Sequence, residues 1–192
     1  MKKNLPRSTA EAERIVLGID PGSLITGFGL VAVGWDGPRL LDCGTIVNRS
    51  TVPMAERLRV IYEGLCETVG RWHPSEAAVE SAFYGKNVQS ALKLGQARGV
   101  AILAAVNAGM IPAEYAPREV KLAVVGRGNA SKEQVQFMVK TLLRTRSRSM
   151  MLDASDALAV ALCHARRRDD HRPKRHRDWG AFVAAHPELV RP

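Results

Sequence analysis

Ile15-Val16-Leu17-Gly18-Ile19-Asp20-Pro21-Gly22-Ser23 decides the fold. The nearly continuous apolar run is the pattern of a central strand buried on both faces, and Asp-Pro-Gly-Ser ends it in a tight turn. Asp20 therefore stands at the carboxyl end of a central strand, where α/β sheets place their ligands. Working outward, Gly27 to Val33 reads as a second strand, and Arg39 to Val47, after the Gly37-Pro38 turn, as a third. Links this short predict an antiparallel meander.

Pro53 opens a helix that runs to about Trp72, with Leu58, Ile61, Leu65 and Val69 at helical spacing, and His73-Pro74 stops it. Ala77 to Glu80 is a short strand that again ends on a carboxylate. A long helix from about Asn87 to Asn107 is ended by Gly109, and its small residues allow close approach of another element. Ile111 to Tyr115 reads as a fifth strand, and Ala116-Pro117 starts a short helix through Val124. Gly126 to Asn129 is a loop. Ser131 and Gln134 have capping-box spacing for a helix to about Leu143. Thr145 to Met150 is a basic loop, and Asp153 to His164 the last helix. From Arg166 to Arg177 the chain is too charged to pack, although Trp179, Phe182 and Val183 offer local docking. This order predicts an α/β domain: a five-stranded mixed sheet with helices on both faces.

The chain has 192 residues, 46% of them apolar, enough for one domain with a substantial core. Its net charge of +9 is unevenly placed. Between residues 118 and 148 stand Arg118, Lys121, Arg127, Lys132, Lys140, Arg144, Arg146 and Arg148 against only Glu119 and Glu133, and the stretch from Ala165 onward is basic again. Such asymmetry suits a polyanionic partner, because neutralising phosphates releases counterions; solubility is the plainer use. Cys43, Cys66 and Cys163 lack metal-ligand spacing and read as buried thiols in a reducing compartment. The first residues lack the apolar core of a signal peptide, and no apolar run is long enough to span a membrane, so a soluble cytoplasmic protein is expected.

Four acids stand out. Asp20 and Glu80 end strands, while Asp153 and Asp156 share one face at the start of the last helix. Each has an ordinary reading: an Asx turn for Asp20, a solvated strand end for Glu80, helix capping for the pair. Read as a set they repel one another unless a cation lies between them, and hard oxygen ligands select Mg2+ or Mn2+. Phosphodiester hydrolysis is the chemistry that needs such a centre, with two ions about 4 Å apart. On that reading Asp20 is shared, Glu80 and Asp156 complete separate ions, and Asp153 ligates or orients the water.

The segments Gly18 to Ser23, Val79 to Tyr84, Ser90 to Gly99 (Ser-Ala-Leu-Lys-Leu-Gly-Gln-Ala-Arg-Gly) and Asp153 to Ala159 (Asp-Ala-Ser-Asp-Ala-Leu-Ala) together resemble the bacterial RuvC family of Holliday-junction resolvases, from about Arg14 to His164. The resemblance implies an RNase H-like fold and a homodimer that nicks opposing strands of a four-way junction, leaving ligatable 5′-phosphate and 3′-hydroxyl ends. It also implies work beside a RuvA/RuvB-type branch-migration complex in recombinational repair. Asp20, Glu80, Asp153 and Asp156 then match the metal-carrying catalytic positions, the third being His in some members. Phe83 matches an aromatic that stacks on bases at the opened crossover, with Tyr84 beside it. Lys121 and Lys132 match phosphate contacts, and Arg118 and Arg127 lie in the same basic stretch. Residues 1–13 are then a flexible leader, 14–168 the nuclease domain and 169–192 a basic tail.

Three other functions stay open from sequence. A module that only binds branched DNA would leave the acids as caps and turns. A sugar-kinase or actin-like ATPase shares the Asp20 turn but needs two lobes. An RNase H-like nuclease acting on another nucleic acid shares the metal chemistry.

Overall fold

The computed structural model describes residues 13–81, 87–145 and 151–170, the last three of these by their backbone. Strand β1 (Arg14–Asp20) is central. It pairs antiparallel with β2 (Ile25–Gly34) and parallel with β4 (Glu76–Glu80). Outside these lie β3 (Gly37–Val47), antiparallel to β2, and β5 (Ala113–Tyr115), parallel to β4, giving the order β3-β2-β1-β4-β5. The mixed sheet and the meander of its first three strands are as the sequence predicts.

Alternation along β1 and β4 splits the core into two layers. Leu17, Ile19 and Val79 face α1 (Met54–Trp72) and α2 (Val88–Asn107), where Ile61, Leu65, Ala97 and Ala101 meet them. Val16 and Ala78 face the other way, toward α3 (Pro117–Val125), α4 (Lys132–Leu142) and α5 (Leu152–Asp170). Asp20, Glu76 and Glu80 share the parity of this second set and so belong to the α5 face.

Helix α5 lies directly on the sheet because β1 and β2 present glycine to it. A Cβ on Gly18 would stand 2.1 Å from the Ala157 carbonyl oxygen, and one on Gly27 2.1 Å from that of Asp153. The helix runs antiparallel to β1, so its first turn meets the strand's carboxyl end.

Two boundaries differ from expectation. The fifth strand is confined to Ala113–Tyr115, since Ile111 is 93% exposed and Pro112 has no N–H for a ladder. Helix α5 continues past His164 to Asp170. The charge of Arg166 and Arg167 does not stop it from packing: Arg166 Nη1 donates to the Ala123 carbonyl, and Arg167 pairs with Glu119 at 2.7 Å and covers the Tyr115 ring. Asn87 starts α2 where expected, accepting from Gln89 N at 2.9 Å, and the Ser131/Gln134 capping box forms as expected too. No helix among the described residues is long and apolar enough to cross a membrane.

Candidate active site

The carboxyl ends of β1 and β4 and the first turn of α5 meet at one place, bringing Asp20, Glu80, Asp153 and Asp156 into mutual electrostatic contact. Burial raises the carboxyl of Glu80 to about 8 against an ordinary 4.5, and the neighbouring Asp20 and Asp156 charges add to the rise. Glu80 therefore keeps its proton near neutrality and donates it to Asp20. Burial likewise raises Asp20 to about 6; the hydrogen bond from Glu80 and the charge of Lys132 oppose that rise. Two carboxyls held this close out of water retain a proton between them, because the Lys132 charge offsets only part of their burial and mutual repulsion.

Lys132, the first residue of α4, supplies the other neutralising charge. Its Nζ donates to Asp156 Oδ2 at 2.8 Å, and this bond, assisted by the charges of Asp20 and Asp153, raises its pKa. The capping box at Ser131 fixes where α4 begins and so where Lys132 points.

The ordinary readings of the acids fail on geometry. The turn after Asp20 is closed by buried Thr26, whose hydroxyl donates to Gly22 O at 2.8 Å and accepts from Gly22 N at 3.4 Å. Asp153 does not cap α5, which begins at Leu152 with Ser155 N donating to Met151 O. Glu80 is desolvated rather than free in water. Thr26 is the residue that sequence reading missed; a threonine four positions after a Pro-Gly turn is its only signal.

Among the described residues no three His, Cys, Asp or Glu side chains close on one point as a finished ion cage would. The donor set nevertheless fits a hard divalent cation: all four groups are carboxylates, and the proton on Glu80 and the ammonium on Asp156 are what a cation would displace.

The remaining predicted site residues are spread. Lys132 joins the acids. Arg118 lays its side chain against Gly128, where a Cβ would meet Arg118 Cγ at 2.7 Å. Lys121 is half-buried on α3. Arg127 lines a groove of about 480 Å³ with Val125, Glu133, Gln134, Phe137 and Met138. Phe83 and Tyr84, like Arg146 and Arg148, lie outside the described residues.

A family model described as crossover junction endodeoxyribonuclease RuvC matches residues 16–164, every element from β1 to α5 that builds this centre. The chain belongs to the RuvC family. Two crossover junction endodeoxyribonucleases of that name are similar throughout: that of Chlorobium phaeovibrioides is 47% identical, covering 92% of this chain and 99% of its own, and that of Chloroherpeton thalassium 42% identical, covering 92% and 98%. The structure of Thermus thermophilus RuvC in complex with a Holliday junction substrate superposes with a TM-score of 0.74 at 34% identity, covering 82% of this chain and 96% of that one. The fold is thus the RNase H-like α/β fold of RuvC.

Proposed function

We propose that this RuvC-family chain is a structure-selective endonuclease that resolves four-way DNA junctions by paired symmetrical hydrolytic nicks, leaving 5′-phosphate and 3′-hydroxyl ends. The observation that carries this reading is the meeting of four carboxylates and Lys132 where two strands end and one helix begins. Asp20, Glu80, Asp153 and Asp156 would hold Mg2+ or Mn2+, two ions per centre. Bound there, such ions polarise the phosphodiester and make water a better nucleophile at neutral pH.

The chain's own residues do the rest. Asp20, shared between the acids of β4 and α5, accepts the proton that Glu80 donates. Lys132 moves its ammonium from Asp156 to the non-bridging oxygens of the scissile phosphate, a shift within reach of a flexible side chain. Arg118, Lys121 and Arg127 hold flanking backbone. Phe83, with Tyr84, stacks on bases freed at the crossover.

A homodimer presents two such centres to opposing strands, and α2 supplies its surface. Val88, Leu92, Leu103 and Val106 on α2 are exposed by 73%, 64%, 50% and 47%, and among the described residues nothing beyond the helix's own backbone lies within 4 Å of where a Cβ would sit on Gly95 or Gly99. An apolar face with glycines at its centre lets two copies of a helix approach about a two-fold axis. The enzyme works in the cytoplasm, beside a branch-migration complex of the RuvA and RuvB type.

The experiment is cleavage of a synthetic four-way junction in competition with linear duplex and RNA–DNA hybrid, with and without Mg2+ or Mn2+. Metal-dependent symmetrical nicks in the junction are expected. Preferential cutting of the hybrid would replace the substrate, and folded protein that cuts nothing would refute the reading.

A further inference from the structure

On the α5 face, away from the acids, a second polar cluster is buried between the same elements. His164 Nε2 lies 2.9 Å from Glu76 Oε2, and His164 Nδ1 lies 2.8 Å from the Tyr115 hydroxyl. Glu76 also pairs with Arg14 Nη1 at 3.2 Å. The side chains of His164 and Glu76 are only 10% and 11% exposed. Glu76, ion-paired with Arg14, acts as an acceptor, so Nε2 carries the proton and donates it. In the neutral ring Nδ1 then accepts from Tyr115. Hydrogen bonds thus run from Tyr115 through His164 to Glu76 and on to Arg14, joining β5, α5, β4 and β1.

We propose that His164 is a positioning residue for the catalytic centre: its bond to Glu76 sets how far along β4 helix α5 sits, and so where Asp153 and Asp156 stand relative to Glu80. Glu76 and Glu80 are the two ends of β4, about 13 Å apart along an extended strand. Asp156 and His164 are separated by about 12 Å along α5. The two spans match and the helix runs antiparallel to the strand, so a rung at one end fixes the register at the other. Ala157 and Ala161 lie over Gly18 and Leu158 over Gly29, which holds α5 close to the sheet, and the polar rung adds a directional tie at the far end of the helix. Tyr115 ties both ends: its carbonyl accepts from Ser81 N at 2.8 Å, next to Glu80, while its hydroxyl holds His164. Tyr115 is also the ladder partner of Glu80 in the β4–β5 pairing.

This inference rests on the nuclease reading for its activity readout, so the test adds one that does not depend on cleavage. Wild type, His164→Ala, Tyr115→Phe, Glu76→Gln and a packing control, Leu162→Ala, are compared for junction affinity, turnover on saturating junction and affinity for Mn2+ alone. His164→Ala is expected to keep junction affinity within about threefold while turnover falls about 10- to 100-fold, the scale of a misplacement near 1 Å. Its Mn2+ affinity falls in parallel. Glu76→Gln, which still offers an oxygen to Nε2–H, stays within about threefold of wild type, and Tyr115→Phe falls between them. Leu162→Ala lowers the melting temperature but leaves turnover and Mn2+ affinity near wild type while folded. Wild-type turnover and Mn2+ affinity in His164→Ala would overturn the proposal, as would equal losses in Leu162→Ala at matched melting temperature. Should His164→Ala not fold, Tyr115→Phe with unaltered turnover and Mn2+ affinity overturns it. A wild type that binds Mn2+ but cuts no junction would sink the nuclease reading alone.

Discussion

Replacing Glu80 by Gln should abolish cutting and at the same time make the metal-free protein more stable, by an amount that depends on pH. Burial beside Asp20 lifts the Glu80 carboxyl from 4.5 to about 8. Below about pH 4 the group is protonated in folded and unfolded chains alike, and burial carries no ionic penalty. As pH rises, the unfolded chain ionises first and gains stability relative to the folded one, until the folded carboxyl also ionises near 8. The folded state therefore loses stability progressively across that window. At about 1.4 kcal/mol per pH unit, the interval sets an upper limit near 5 kcal/mol. Glu80 and Asp20 share one proton, so the pair is counted once, and Gln keeps the hydrogen bond while losing the charge. About 2–4 kcal/mol of stabilisation is expected near pH 8, and under about 1 kcal/mol near pH 5. In a chain of this size that corresponds to a melting temperature higher by roughly 5–15 °C near pH 8. The assay is thermal unfolding of both proteins in chelator from about pH 5 to pH 8, repeated in Mg2+. The ion stabilises only wild type, by about 2.7 kcal/mol at a hundredfold excess over its dissociation constant, and so narrows the gap. Equal stability of the two proteins near pH 8, or the same difference near pH 5, would refute the electrostatic account of this centre.

Gly27→Ala drives a methyl group into the Asp153 carbonyl; nicking should disappear and stability fall by about 1–3 kcal/mol, measured by junction cleavage and urea unfolding. Ser155 is 1% exposed, and its hydroxyl has no partner among the described residues; Ser155→Ala should be neutral or stabilising by about 1 kcal/mol in thermal unfolding, with nicking retained. Lys132→Gln should reduce the dependence of junction affinity on log salt by about 0.9, as loss of one phosphate contact does, and lower turnover. Leu92→Glu, which charges the exposed α2 face, should halve the mass seen by sedimentation at micromolar concentration and convert paired nicks into single ones.

Much of the fold was legible because the strands are strongly patterned. The apolar run before Asp20 and the helical spacing from Leu58 to Val69 each admit one period. Pattern alone overextends the fifth strand, because Ile111 is apolar yet points into solvent, a fact of edge position. Helix α5 was cut short because Arg166 and Arg167 read as solvated charge, whereas their partners, Ala123 and Glu119, lie more than forty positions away in α3. At the site, strand ends and helix spacing marked the four acids, but one by one each also fitted a turn or a cap. Only tertiary structure gives Asp20 and Glu80 their shared proton. The polar relay through His164 left a faint trace: Arg14 and Glu76 are charged positions on the buried α5 face of two central strands. Strand pairing is what turns that trace into a contact.

Anomalous diffraction from crystals soaked in Mn2+ tests most directly whether the four carboxylates form a cation-dependent centre. Manganese between Asp20, Glu80 and the Asp153/Asp156 turn of α5, with Lys132 withdrawn from Asp156, is the predicted result. Full soaking with no manganese at these carboxylates, and Lys132 still bound to Asp156, would contradict it.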